Sequence, residues 1–244
     1  ALGATGLGWL FALAVAGPYP WLRGSQVLVQ QLARGLEERG HHVAVVSYGP
    51  DRGHRPGLRW GRMALDVVLM AHLWHLVRRR RIDVIHAHNY EAAIAGIVVG
   101  RLTGCPVVYH GHSAMAEELP TYVTSARARR WMGALGRLLD VEVPRRADFC
   151  IAVTEELGEH LTRAGVRARA LACITPAAAP AEVRAIPSGG ASAGTGLVCY
   201  AGNLDGYQNL AFLLQSFARV RAGDPGARLV LVTHADARGH AARL

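Results

Sequence analysis

Short apolar runs alternate along this chain with longer segments of helical period. Trp9 to Ala16 (WLFALAVA) has strand length, and Pro18-Tyr-Pro20 stops it. VLVQQLARGLEERG follows, with Leu28, Leu32 and Leu36 at helical spacing, Ser25 as N-cap and Gly40 as the C′ stop. His42 to Tyr48 is a second strand, and Asp51 to Gly61 is a loop rich in Gly, Pro and Arg. Met63 to Arg81 reads as a helix with Met63, Val67, Met70, Trp74 and Val77 on one face. Arg78 to Arg81 close it as a solvated end that complements the helix dipole. A strand from Asp83 to His86, a helix over Tyr90 to Leu102 and a strand from Pro106 to His110 come next. Thr121 to Arg146 is expected to be mostly helical, with Trp131, Leu135 and Leu138 inward and Arg127, Arg130 and Arg137 outward. A strand over Asp148 to Val153, a helix over Glu155 to Ala164 and a short strand over Ala170 to Ile174 complete this part.

Regular alternation of strand and helix predicts an α/β fold whose parallel sheet is covered on both faces. From Thr175 the composition shifts to Pro, Ala, Gly and Ser, which reads as a linker. The expected organisation is a Rossmann-like N-terminal domain over 1–175, a linker over 176–195 and the first βαβ unit of a second domain over 196–244. Its pieces are a strand over Gly196 to Gly202, a helix over Gln208 to Ala222 and a strand over Arg228 to Thr233. One βαβ unit does not bury both faces of its strands, so the expectation is a fragment that stops inside a second domain. The missing initiator Met agrees with a fragment.

Composition adds limits rather than identity. Half of the residues are apolar, so a real core is expected, and the formal charge is +9. All of the 27 basic residues are Arg, a bias that speaks for a GC-rich coding sequence more than for a partner. No aromatic stacking pattern or nucleic-acid motif accompanies them, which argues against nucleic acid and leaves peripheral contact with an anionic membrane open. Cys105, Cys150, Cys173 and Cys199 form no C-x-x-C pair and sit in or beside apolar runs. They are expected to be reduced and buried, as in a cytoplasmic protein. Ala12 to Ala16 resembles a signal-peptidase site, but no basic region precedes it, and the stretch reads better as the first strand. Met63 to Val77 is interrupted by Asp66, His72 and His75 and is too short to span a bilayer.

The candidate chemistry lies between Ile82 and Tyr122. Two adjacent strands end in His86-Ala-His88 and His110-Gly-His112. The carboxyl edge of a parallel sheet is where ligands sit, so these histidines mark the expected site. Arg23-Gly24-Ser25 supplies a glycine turn feeding a helix N-terminus, a home for phosphate.

Four segments together resemble a GT-B glycosyltransferase of the retaining family 4 type. They are Pro18-Tyr-Pro-Trp-Leu-Arg-Gly-Ser-Gln26, Asp83-Val-Ile-His-Ala-His-Asn-Tyr-Glu91, Val108-Tyr-His-Gly-His-Ser-Ala-Met115 with Glu118-Leu-Pro-Thr-Tyr122, and Tyr200-Ala-Gly-Asn-Leu-Asp-Gly-Tyr-Gln208. Pro144-Arg-Arg-Ala-Asp148 running into IAVTEEL also fits. The resemblance implies two Rossmann-type domains, with acceptor on the first, donor mainly on the second and reaction in the cleft between them. It implies a nucleoside diphosphate sugar as co-substrate, no further cofactor, no metal and an unidentified acceptor, lipid-linked acceptors being among those that such enzymes use. It places His110 at the reacting sugar and Gly24 and Ser25 at the donor phosphates. His88, Asn89, Glu91, His112 and Glu118 line the acceptor side, and His86 is a weaker candidate. Relatives carry an Arg and a Lys as a diphosphate clamp where this chain has Asn203 and Gln208, amides without countercharge. The glutamates that hold the nucleotide sugar in relatives would lie past Leu244.

Three alternatives stand beside this. A metal-dependent hydrolase would use the H-x-H pairs, with Asp148 and Glu155 as the available carboxylates. A nucleotide-sugar epimerase or a phosphorylase would keep the fold. A non-catalytic lipid-binding module would work through Arg78 to Arg81 and the Arg127 to Arg130 helix.

Overall fold

Strand β1 (Leu10–Val15) is apolar on both faces because the sheet around it is covered on both, and its last four residues are buried. It lies inside a parallel sheet with β2 (His42–Val46), β3 (Val84–His88), β4 (Val107–Gly111), β5 (Phe149–Ala152) and β6 (Leu171–Cys173). The strand order is β2-β1-β3-β4-β5-β6. The computed structural model describes residues 8–20, 24–49, 60–177, 196–202, 204 and 208–233. The chain divides into two compact units, Ala1–Pro180 and Ala181–Leu244.

The connecting helices of the first unit are α1 (Gly24–Glu37), α2 (Trp60–Arg80), α3 (Asn89–Thr103), the single turn α4 (Met115–Glu118), α5 (Ala126–Glu142) and α6 (Glu155–Arg163). Ala12 and Ala14 of β1, Ile85 and Ala87 of β3, and Val107 and Tyr109 of β4 pack with α2, α3 and α6 in one core. The alternate residues Leu13 and Val15 pack with Val29 and Ala33 of α1 in a second, smaller core. The chain leaves β1 in one direction and returns to β3 on its other side. The crevice at the carboxyl ends of β1 and β3 is therefore the switch point at which such sheets bind ligands.

The opposite, amino edge is pinned twice in the same way. Leu10 N donates to Asp83 Oδ2 at 2.7 Å while Asp83 N donates to Leu10 O at 2.9 Å. Val107 N donates to Asp148 Oδ2 at 2.8 Å while Asp148 N donates to Val107 O at 2.9 Å. Each aspartate satisfies a strand-end N–H that the ladder leaves open.

The expected faces of α1 and α2 are met in part, since Leu28, Leu32 and Leu36 of α1 and Met70, Trp74 and Val77 of α2 pack against the cores. In α1 the buried residues are Gln26, Val29 and Ala33, with Leu28, Leu32 and Leu36 partly buried around them. Ser25 lies inside this helix and its hydroxyl donates to Gln26 Oε1 at 2.9 Å, so it is not the N-cap. In α2 the buried stripe is Leu69, Leu73 and Val77, whereas Met63 and Val67 are exposed. On the same helix Asp66 accepts a hydrogen bond from the Tyr48 hydroxyl. Cys105 and Cys150 are buried thiols as expected, but Cys173 and Cys199 are exposed.

The largest correction concerns the segment after β4. The helix expected over Thr121 to Arg146 is present as α5 and a 3₁₀ turn over Pro144–Arg146, and it is preceded by α4 and a 3₁₀ turn over Leu119–Tyr122 that were not expected. Within α5 the inward residues are Gly133, Gly136 and Asp140, while Trp131, Leu135 and Leu138 face outward. The cause is close approach of the α4 backbone: a Cβ on Gly136 would stand 2.3 Å from Met115 O. Small residues therefore line the contact and large ones are turned out. Gly136→Ala ordinarily stabilises a helix by roughly 1 kcal/mol. Here the clash is with backbone, and we expect a net loss of about 1–3 kcal/mol in urea unfolding. A more stable alanine variant would show that α4 is not held against α5.

The second unit contains β7 (Leu197–Ala201), α7 (Leu210–Gly223) and β8 (Arg228–Val232), with β7 and β8 paired in parallel. Leu197, Val198, Val230 and Val232 on its strands are all exposed.

Candidate functional site

Register places the four histidines together. His88 of β3 pairs directly with His110 of β4, and residues two apart on a strand share a face. His86, His88, His110 and His112 therefore form a two-by-two array on one face of the sheet. The His86 and His88 rings are stacked with centroids 4.8 Å apart, those of His110 and His112 are 5.1 Å apart, and His88 and His110 are 4.8 Å apart across the strands. Two diagonal contacts tie the pairs: His86 Nε2 lies 3.1 Å from His110 Nδ1, and His88 Nδ1 lies 3.2 Å from His112 Nε2. In each contact one neutral ring donates and the other accepts.

Burial makes all four neutral. It lowers His86 and His112 to about 4, with the charge of His112 adding to the effect on His86. Burial lowers His110 to about 3, with His86 and His112 contributing, and holds His88 well below its usual value with all three neighbours contributing. Among the described residues no carboxylate joins the array to favour a cation. The result is a patch of neutral imidazoles that offers hydrogen bonds without charge.

Exposure separates the four. His88 has none, His86 and His110 are buried, and His112 is partly exposed just past the end of β4. The Nε2 atoms of His88 and His110 have no hydrogen-bond partner. His112 is thus the open member, with the other three behind it. Asn89 follows His88 immediately and takes a left-handed conformation (φ 70°), which Asn tolerates better than most residues. Glu91 lies in the first turn of α3. Glu118 accepts hydrogen bonds from Ser113 Oγ at 2.6 Å and from the Tyr122 hydroxyl, so it closes the turn after β4 on itself.

Gly24 and Ser25 open α1, which follows β1, so they stand at the same carboxyl edge. Gln208 is exposed in the connection from β7 to α7 of the second unit, while Asn203 lies outside the described residues. Arg23, expected beside Gly24, also lies outside them.

Three residues of the site escaped the sequence reading. Gln26 is buried on α1, and a Cβ on Gly17 would come within 2.9 Å of its Nε2; a glycine at the end of β1 lets that amide reach the crevice. Asp140, 1% exposed on α5, accepts from Met115 N at 2.7 Å, Ala116 N at 2.9 Å and Tyr90 Oη at 2.6 Å. His160 Nε2 of α6 lies 3.5 Å from the same carboxylate. Tyr90 follows Asn89, and Met115 opens the turn after His112, so one carboxylate ties down both histidine-bearing strand ends. The signal for Asp140 in the sequence is an acid in line with Gly133 and Gly136 at helical spacing.

His86, His88 and His110 bring ligand atoms within 4.8 Å of one another, which is a metal-capable grouping. The hydrolase alternative needs carboxylates beside it, and Asp148 is at the opposite edge of the sheet, bonded to Val107 N. Among the described residues no helix is long and apolar enough to cross a membrane.

No curated protein has a sequence that matches this chain significantly. Solved structures do share its fold. Sucrose-phosphate synthase from Thermosynechococcus elongatus superposes with a TM-score of 0.67 at 15% identity, covering 91% of this chain and 62% of that one. Anabaena HepE in complex with UDP and glucose gives 0.61 at 16% identity, covering 96% and 64%. UDP-N-acetylglucosamine 2-epimerase from Rickettsia bellii gives 0.55 at 11% identity, covering 97% and 65%. The chain thus spans less than two thirds of the length of these three proteins. At such identities the likeness speaks for the fold, which is that of a GT-B Rossmann-type domain followed by Rossmann-type elements. The family model for Glycosyltransferase Family 4 matches residues 22–180, which is more than half of the chain and takes in the histidine array and Asp140. This chain belongs to glycosyltransferase family 4.

Proposed function

We propose that the chain is the acceptor-side part of an enzyme that moves a sugar from a nucleoside diphosphate sugar to an acceptor, with retention of configuration and without a metal. The observation that carries this reading is the array of neutral imidazoles at the carboxyl edge, next to the crevice between β1 and β3. A sugar presents hydroxyl groups, which need donors and acceptors rather than a fixed charge, and a neutral imidazole supplies one of each. HepE was crystallised with UDP and glucose, which supports a nucleotide sugar as donor.

In this reading His112 meets the sugar. Its Nε2 is engaged with His88, so Nδ1 is the ring nitrogen available to a sugar hydroxyl. His110 and His88 fix that ring from behind, and His110, the leading candidate from sequence, acts in the second rank. The N-terminus of α1 at Gly24 and Ser25 receives the diphosphate, whose negative charge grows as the bond to the anomeric carbon breaks. The acceptor oxygen bonds to the anomeric carbon on the face the diphosphate leaves, and its proton passes to the departing phosphate oxygen. Asn89, Glu91 and Glu118 orient the acceptor. The domain limits at 175 and 196 belong to this reading.

The test uses the full-length protein and a panel of UDP- and GDP-hexoses, following release of the free nucleotide. His112→Ala is expected to lower turnover on the order of a hundredfold. It should also lower stability by roughly 1–3 kcal/mol, because the buried His88 Nδ1 loses its hydrogen-bond partner. His110→Ala should lower turnover and stability together, because it empties a buried position. A His112→Ala enzyme of near-normal turnover would remove His112 from the site. Conversion of the sugar without nucleotide release would favour the epimerase alternative, whose fold is shared.

A further inference from the structure

The outward face of α5 is unusual in what it shows to solvent. Trp131 is 67% exposed, Leu138 57% and Leu135 39%. With Arg127 these residues are spaced four, four and three apart, which puts them on one stripe of the helix. Arg130 and Arg137 are exposed along one flank of that stripe. The acids of α5 do not oppose them: Asp140 is buried on the inward side, and Glu142 pairs with Arg146. Among the described residues no ion pair engages Arg127, Arg130 or Arg137.

We infer that this face of α5 docks on an anionic phospholipid surface. An interfacial helix needs a Trp and Leu side to enter the acyl boundary and an arginine flank to meet the headgroups, and α5 carries both. Charge complementarity chooses this occupant over the others. Pairing with a second copy would bring flanks of equal sign together, and nucleic acid calls for a series of stacking aromatics where α5 offers one. Packing explains why the apolar residues are free for this: the inward stripe of Gly133, Gly136 and Asp140 is already closed against α4.

The inference is independent of the transferase reading, because binding is measured without any sugar donor. Full-length protein is sedimented with vesicles of phosphatidylcholine alone or with about one third phosphatidylglycerol. The wild-type protein is expected to bind the anionic vesicles, weakly the neutral ones, and to be released by salt. Replacing Arg127, Arg130 and Arg137 together by Gln should reduce binding on the order of a hundredfold, at roughly fivefold per basic residue near the surface. Trp131→Ser with Leu138→Ser should reduce it at least about tenfold, through lost apolar burial. All five side chains are exposed, so thermal midpoints should stay close to wild type. Equal binding to both vesicle types, or variants that bind as wild type does, would overturn the inference. So would self-association that Trp131→Ser abolishes in a protein that ignores vesicles.

Discussion

Asp140→Ala is expected to destabilise the first unit by about 3–5 kcal/mol, a large share of the total stability of an ordinary domain. The carboxylate accepts from two backbone N–H groups and a tyrosine hydroxyl at once, with His160 Nε2 3.5 Å away. Removing it takes this acceptor from Met115 N, Ala116 N and the buried Tyr90 Oη, and each donor left unpaired away from water costs roughly 1–3 kcal/mol. Asn at this position accepts through one oxygen and points an amide N–H at a donor, so Asp140→Asn should recover less than half of the loss. The measurement is the urea midpoint and slope of each variant. A loss below about 1 kcal/mol would mean that the α4 turn is held by other contacts. Because Asp140 acts through Met115 and Tyr90, it is a positioning residue. Its folded variants should show changed backbone signals at both strand ends.

Acid should unfold this protein early. The imidazoles of the array have lower pKa values in the folded chain than in the unfolded one, where His titrates near 6.5. Between those values the unfolded chain binds more protons than the native one, so stability falls as pH falls. Their contribution is complete above about 6.5. It declines through the window down to about 4 for His86 and His112 and about 3 for His110. Each group costs about 1.4 kcal/mol per pH unit inside that window, so three of them take several kcal/mol by about pH 5. His88 acts in the same direction. Thermal midpoints recorded between about pH 7 and pH 5 isolate this effect, because most carboxylates titrate below that range. The midpoint should drop steeply in wild type, and its slope in His86→Gln should correspond to about one proton fewer. A flat profile would mean that the array is hydrated and that its protons are exchanged freely in the native state.

The element order could be read from the chain because the strands are apolar on both faces and the helices carry a period, and both are local properties. Burial between the two layers fixes β1, β3, β4 and β5 within a residue or two of their expected ends. The two histidine pairs were legible for the same reason: a parallel sheet delivers its strand ends to one edge. The inward faces of α1, α2 and α5 were less legible. A helical period tells that a face exists, while the partner decides which side residues are large, and in α5 the partner is a backbone that admits glycine.

The sequence alone determined the alternation of strand and helix, the parallel sheet that follows from it and the edge at which the histidines meet, because each depends on local spacing and burial. Tertiary structure decided the rest. Register set His88 beside His110 and joined four rings into one neutral array, since contacts across strands leave no trace in spacing along them. It ranked His112 as the open ring, and it revealed Asp140 as the common anchor, because burial and hydrogen bonding depend on residues distant in sequence. It turned Trp131 and its neighbours outward, since close packing of α4 on α5 had no room for them.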